Sequence, residues 1–261
     1  MSKEIIRVGN TSYAKYEEVL IRKDEMKKKA IQYERAYVKE FGDLILEVFQ
    51  MKLESIRKKK TIEYCQIFAN RGGRVDQKAL QAYLARELAA YKAQLESMIK
   101  DNEAAKNSTR VTESDMLKIK RIYHHLVKKI HPDINPVTNE NEELKGLWQR
   151  MVVAYNCNDL KEMTEIEVLV NALLEKMNLG TLDIMIPDID EKIAEIEAEI
   201  KKIVSTDPYQ YKYILENEGA IAEKKEDLRR ELKEYEDYGR QLDEILNGLL
   251  QNGVKMTWRM N

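Results

Sequence analysis

Glycine and proline are scarce in this chain, at ten and four residues in 261. Leucine, isoleucine, alanine, glutamate and lysine dominate instead, a balance that favours long helices and coiled coils over sheets. The two cysteines, Cys65 and Cys157, lie far apart and in no metal-like spacing. A reduced, cytoplasmic protein is the expectation. Charge of one sign is also lacking. The net charge is -2, although charged residues make up 34% of the chain. Bulk electrostatics therefore favours neither nucleic acid nor a membrane surface. No apolar run is long enough to span a bilayer. The first ten residues, MSKEIIRVGN, hold no apolar signal core, so export is not expected. Nor is there a glycine-rich phosphate loop, an activated nucleophile or a convincing pair of carboxylates. An enzyme is not expected, and neither is a cofactor. The length suits two or three modest helical domains with a thin, extended core.

What is present is helical periodicity. Asn10, Thr11 or Ser12 can cap a helix beginning near Tyr13. Tyr37, Phe41, Leu44, Val48, Met51, Ile62, Cys65 and Ala69 then recur on one face. Gly42 lies inside this run as a candidate bend or break. Gly72 and Gly73 permit a tight reversal. Asp76 can cap a return helix whose stripe runs Leu80, Leu84, Leu88, Tyr91, Leu95 and Met98. Two stripes joined by a short turn predict an antiparallel helical arm over residues 1–107.

The segment 108–160 differs in character. Thr112 and Asp115 fit a helix start, with Ser114 a competing cap. Ile119, Ile122, Tyr123, Leu126, Val127 and Ile130 form a full apolar face. Lys118, Lys120, Arg121, His124, His125, Lys128 and Lys129 occupy the remaining surface. Pro132 ends the helix, because the residue before a proline is pushed out of the α region. After a loop through Pro136 to Asn141, a second helix carries Leu144, Leu147, Trp148, Met151, Val152 and Tyr155. All three histidines of the chain fall between Tyr123 and Pro132.

A C-terminal helical or coiled-coil arm follows over 161–252. Asp159 can cap a helix bearing Leu160, Met163, Ile166, Val170, Leu173 and Met177. Asn178 to Pro187 reads as a linker. Ile189, Ile193, Ile196, Ile200 and Ile203 alternate steps of four and three, as a coiled-coil seam does. Asp207 and Pro208 resemble a cap and first helical position. The last helix repeats an apolar residue every seven positions from Ile214 to Leu249. It is longer than the isoleucine helix, so the helix after Asp159 is expected to cover its other half. The seam is either core or a homodimer contact; the pattern fits both. A tail, 253–261, carries Trp258 and no readable period.

Residues Thr112 to Leu160 resemble the J-domain co-chaperones. Ile119, Tyr123, Leu126 and Val127 match that family's second helix, and Lys120, Arg121, His124, His125, Lys128 and Lys129 match its basic surface. His131-Pro132-Asp133 matches its signature loop, and Trp148, Met151, Ala154 and Tyr155 match its third helix. The family's first helix, with a Tyr-Tyr-x-x-Leu-Gly-like pattern, does not precede Thr112. The stretch near Leu95 to Ile99 is expected to take its packing role. The family's glycine- and cysteine-rich client-binding regions are absent too. The resemblance implies an all-α co-chaperone-like protein that recruits a DnaK-type heat-shock chaperone and stimulates its ATP hydrolysis, while the arms hold a client. It also implies roles. Asp133 pairs with a partner arginine, Pro132 fixes the loop, His131 shapes it, and the basic residues steer encounter.

The blander alternatives are a capped helix terminator at 131–133, a relic J-domain in a coiled-coil scaffold, and solvated basic faces. Lys27-Lys28-Lys29 and Arg57 to Lys60 read as solvated faces, balanced by nearby acids. Nucleic acid is not the expected partner. Adjacent His124 and His125 diverge by about 100° on a helix, which argues against a metal site.

Overall fold

The computed structural model describes residues 8–70, 74–107, 111–177, 188–251 and 256–257. Apart from one two-residue strand pair, every regular element among them is helical, so the fold is all-α. The chain forms two compact units, each discontinuous in sequence. The first comprises Met1–Glu34 and Thr109–Tyr211; the second comprises Arg35–Ser108 and Lys212–Asn261. Helix α1 (Val8–Ala69) contributes to both. Among the described residues no helix is long and apolar enough to cross a membrane.

In the first unit, α4 (Glu113–Ile130) starts where expected. Thr112 accepts the backbone N–H of Asp115 at 3.1 Å, and its hydroxyl donates to the Asp115 carboxylate at 2.8 Å. Ile119, Tyr123, Leu126, Val127 and Ile130 are all buried. They pack on α6 (Glu142–Cys157) and α7 (Leu160–Lys176). A one-turn helix, α5 (Val137–Glu140), interrupts the loop expected through Asn141. Asn158 turns left-handed (φ 55°), a conformation asparagine tolerates, and Asp159 then caps α7 through the N–H of Glu162. The isoleucines of α8 (Ile189–Val204) join the same core: Ile193, Ile196 and Ile200 are buried within it. The seam is therefore core, and that face is not left for a second copy.

The remaining wall of this core is α1. Tyr16, Val19 and Leu20 are buried against the α4, α6 and α7 side chains. They take the place expected for Leu95 to Ile99, which belong to the second unit. The reason is spatial. Helix α1 presents a Tyr-x-x-Tyr-x-x-Val-Leu stripe from Tyr13 to Leu20, and this apolar stripe joins the core that holds the apolar face of α4.

In the second unit, Asp76 caps α2 (Gln77–Glu87) by accepting the N–H groups of Lys78 and Ala79. The chain breaks at Leu88 and resumes as α3 (Ala89–Lys106). Glu87 meets Lys60, while Asn102 and Lys106 meet Asp43, so α2 and α3 run back along α1. Helix α9 (Tyr211–Leu215) and then α10 (Glu218–Gln251) follow. Lys225 pairs with Glu40 and Lys58 with Asp243 (2.6 Å), so α10 lies parallel to α1. Phe41, Val48 and Leu228 form its buried centre. A parallel pair joins β1 (Val75–Asp76) to β2 (Met256–Thr257).

Several expectations are corrected. Helix α1 is already helical at Val8, before the proposed caps. Pro208 does not open the long helix; α9 starts at Tyr211 and Asn217 caps α10 through the N–H of Ala220. Helix α7 packs on α4 and α6 within the first unit, whereas α10 belongs to the second. Gly42 does not break the helix. It lies inside α1, where a β-carbon would collide with the Asn102 amide that donates to Asp43 at 2.8 Å. The Gly72-Gly73 reversal, the 178–187 linker and Trp258 lie outside the described residues.

Two glycine substitutions test this packing. Gly42→Ala is expected to destabilise the protein by about 1–3 kcal/mol through overpacking. Gly146→Ala, in α6 with nothing within 4 Å of the added carbon, is expected to stabilise it by roughly 0.5–1 kcal/mol. Thermal denaturation of the two variants checks both signs.

Candidate functional site

Helix α4 runs straight into the His-Pro-Asp loop, and local hydrogen bonds hold that loop. The His131 carbonyl accepts from the N–H groups of Ile134 (2.9 Å) and Asn135 (2.7 Å). Asn135 donates from its side chain to the Lys129 carbonyl (2.9 Å) and accepts from the N–H of Val137 (3.1 Å). One amide thus closes α4 and opens α5. Asn135 was not singled out in the sequence, although its place two residues after an aspartate in a helix-terminating turn is a usable signal.

His131 is buried and Asp133 is not. The imidazole is 6% exposed and meets the Trp148 ring edge-on at 4.6 Å. Its Nδ1 accepts the backbone N–H of Asp133 at 3.1 Å. Nδ1 therefore carries no proton, and the neutral ring holds its hydrogen on Nε2. The 3.9 Å approach of Nδ1 to the Asp133 carboxylate is accordingly no ion pair. Burial pushes the imidazole below its ordinary range, against the attraction of Asp133 and Asp24. The Asp133 side chain is 53% exposed. It opens on a cleft of about 320 Å³ whose walls include Lys27, Trp148 and Tyr155. The Asp133 charge also acts on Tyr16: burial, then that charge, push its hydroxyl up to about 12.

The cleft floor is an aromatic stack. Tyr123 and Tyr155 lie face to face with centroids 3.7 Å apart. The Tyr123 hydroxyl donates to Asp24 at 2.8 Å, and the Lys28 ammonium sits 3.6 Å over the Tyr155 ring. Lys28 is not the solvated residue its basic run suggests. It is buried, and burial brings its ammonium down to about 8. Tyr123, Trp148 and Tyr155 act as core and cleft wall.

The basic residues of α4 divide between two edges. Along one edge, Lys120 and His124 both reach Glu25 of α1, at 2.8 and 2.9 Å, and Lys128 reaches Glu17 at 3.2 Å. Burial opposes the charge on Glu25, but Lys120 and His124 outweigh it and hold the carboxyl below its usual range. Along the other edge, Lys129 donates to Asn171 of α7 at 2.7 Å, while Arg121 and His125 line a hollow of about 620 Å³ between α4 and α7. The sequence places these residues on one surface; Lys120, Arg121, His125 and Lys128 are exposed, whereas His124 and Lys129 are half-buried. Partly exposed ion pairs contribute about 0–1 kcal/mol each, whereas burying Leu20 alone is worth roughly 1.5–3 kcal/mol. Apolar burial, not the ion pairs, anchors α1. Neither Glu17 nor Glu25 could be found from a search confined to residues just before Thr112.

Among the described residues no group of three or more His, Cys, Asp or Glu side chains is placed to hold a metal ion.

The loop geometry sets a pH dependence. The folded pKa of His131 lies below its ordinary 6.5, so an unfolded chain takes up this proton first as pH falls. Its contribution is fully present above 6.5 and declines below that value, down to the folded pKa. Urea unfolding between pH 7 and pH 5 is expected to show falling stability in the wild type. His131→Asn, which keeps an acceptor without a titrating ring, is expected to flatten that slope; an equal slope in both would contradict the assignment.

No protein-family model, curated protein or solved structure matches the chain.

Proposed function

We propose that this chain is an interaction protein that recruits a DnaK-type heat-shock chaperone and stimulates its ATP hydrolysis through the His131-Pro132-Asp133 loop. Its helical arms bind a client, and a cytoplasmic setting suits its two free cysteines. The observation that carries this reading is the contrast within the tripeptide. His131 is consumed in shaping the loop, while the Asp133 carboxylate stands half exposed at the mouth of a cleft. A carboxylate held by a rigid turn loses little freedom when it pairs with an arginine, and such pairs are charge-assisted and often bidentate. The chain would perform no chemistry of its own. It would act by binding one state of the ATPase more tightly than another, which is the only way a partner can shift that equilibrium.

A second reading has one observation in its favour. Lys120, His124 and Lys128 are paired within the chain by Glu25 and Glu17. A helical scaffold whose J-like unit folds but no longer stimulates an ATPase would show the same pairing.

Single-turnover ATP hydrolysis by a DnaK-type chaperone separates the two. Asp133→Asn is the informative variant, because the side chain is exposed and its backbone N–H bond to His131 is retained. The wild type is expected to accelerate hydrolysis, and Asp133→Asn to lose at least tenfold of that acceleration with an unchanged melting temperature. No acceleration by the wild type would leave the scaffold reading standing; equal acceleration by both would contradict the role given to Asp133.

A further inference from the structure

We infer that the His131-Pro132-Asp133 loop is an acid-sensitive latch. A proton on His131 turns its Nδ1 from acceptor of the Asp133 backbone N–H into donor to the Asp133 carboxylate, and so draws that carboxylate away from the cleft mouth. The latch itself needs no partner. Its consequence, withdrawal of the carboxylate offered to a partner arginine, rests on the proposed function.

The two protonation states of the ring demand different partners. The neutral ring accepts the Asp133 N–H on Nδ1 at 3.1 Å, buried and edge-on to Trp148. An imidazolium carries hydrogen on both nitrogens. Its Nδ1–H would face the Asp133 N–H, and two donors cannot share one bond. An acceptor is at hand. The Asp133 carboxylate lies 3.9 Å from Nδ1, and closing roughly 1 Å makes a charge-assisted hydrogen bond. The Asp133 side chain is half exposed, so a rotation about its own bonds is open to it. The turn does not depend on the ring. The His131 carbonyl holds the N–H groups of Ile134 and Asn135, and the Asn135 side chain holds the Lys129 carbonyl and the Val137 N–H. Protonation therefore breaks one bond and redirects one carboxylate while the turn stays.

The charges around the ring set where the latch closes. From α1, Lys23 and Lys27 oppose an imidazolium and Asp24 favours it; within the loop, Asp133 favours it. Lys23 is also paired with Glu199 of α8 at 3.3 Å, and Asp24 accepts from the Tyr123 hydroxyl. Helix α6 brings Tyr155 to the cleft and α4 brings Tyr123. Burial pushes both hydroxyls above their ordinary range, so neither competes for the proton. Burial of the imidazole outweighs the two aspartates and moves its titration below 6.5. At neutral pH the carboxylate therefore stands free at the cleft mouth. On acidification it binds inward, and a partner arginine then competes with His131 for it.

The test is an NMR titration of the full-length protein, labelled at histidine and aspartate, from pH 8 to pH 4 with no partner present. At pH 8 the His131 ring is expected to carry its proton on Nε2. On acidification the Asp133 amide and carboxyl carbon are expected to shift with the midpoint of the His131 ring. His131→Asn is expected to abolish that step at Asp133. Asp133→Asn keeps the backbone bond but removes the charged acceptor, and is expected to lower the His131 midpoint by about half a unit or more. Asp133 signals that ignore the His131 titration, or a step that persists in His131→Asn, would overturn the latch. So would a ring still neutral at pH 4, or unfolding of the chain before His131 takes up its proton. Failure of the wild type to stimulate a DnaK-type ATPase is a separate result: it overturns the proposed function and leaves the latch standing.

Discussion

The burial of the α4 apolar face is the constraint on which the first unit depends. Ile119, Tyr123, Leu126, Val127 and Ile130 lie in one core with side chains of α6, α7 and α8, and that core has a further wall. Tyr16, Val19 and Leu20 of α1 supply it. That choice has consequences beyond stability. Because α1 arrives with Glu17 and Glu25 on the neighbouring edge, it pairs Lys120, His124 and Lys128 within the chain. Because it arrives with Asp24 and Lys28, it also ties the Tyr123–Tyr155 stack at both ends. A packing requirement thus dictates which charges of α4 find a partner within the chain.

The loop after α4 is organised on the same principle. Its buried member, His131, is neutral because its Nδ1 is committed to a backbone N–H. Its exposed member, Asp133, is aimed by that commitment. Pro132 and Asn135 restrict the intervening backbone, one through its ring and the other through two hydrogen bonds. The result is a carboxylate presented on a short, hydrogen-bonded turn beside a cleft with an aromatic floor.

Most of the helical elements were legible in the sequence, since periodicity and caps act locally. Thr112, Asp76 and Asp159 cap the helices they were expected to cap, because an N-cap needs only the next three residues. The all-α class follows from the same local signals. What was not legible was which helix meets which. The partner of α4 lies about a hundred residues upstream, and no local rule selects Tyr16 and Leu20 over Leu95. The isoleucine stripe of α8 fitted a core or a second copy equally well until its neighbours were known. Lys28 illustrates the same limit for charge. Its basic run reads as solvated, and only the position of Tyr155 shows that one member turns inward. Within the site, the tripeptide and the basic helix were visible as residue types, but which charges of that helix pair with α1 needed the third dimension.

The claim that α1 completes the α4 core is tested most directly by hydrogen exchange at the α4 amides. Leu20→Ala removes a fully buried side chain at that contact, a change that typically destabilises by about 2–5 kcal/mol. Protection of the Ile119 to Ile130 amides is expected to fall on the order of thirtyfold or more in this variant and to stay near the wild-type level in Leu95→Ala. Unchanged protection in Leu20→Ala, or a comparable loss in Leu95→Ala alone, would contradict the account.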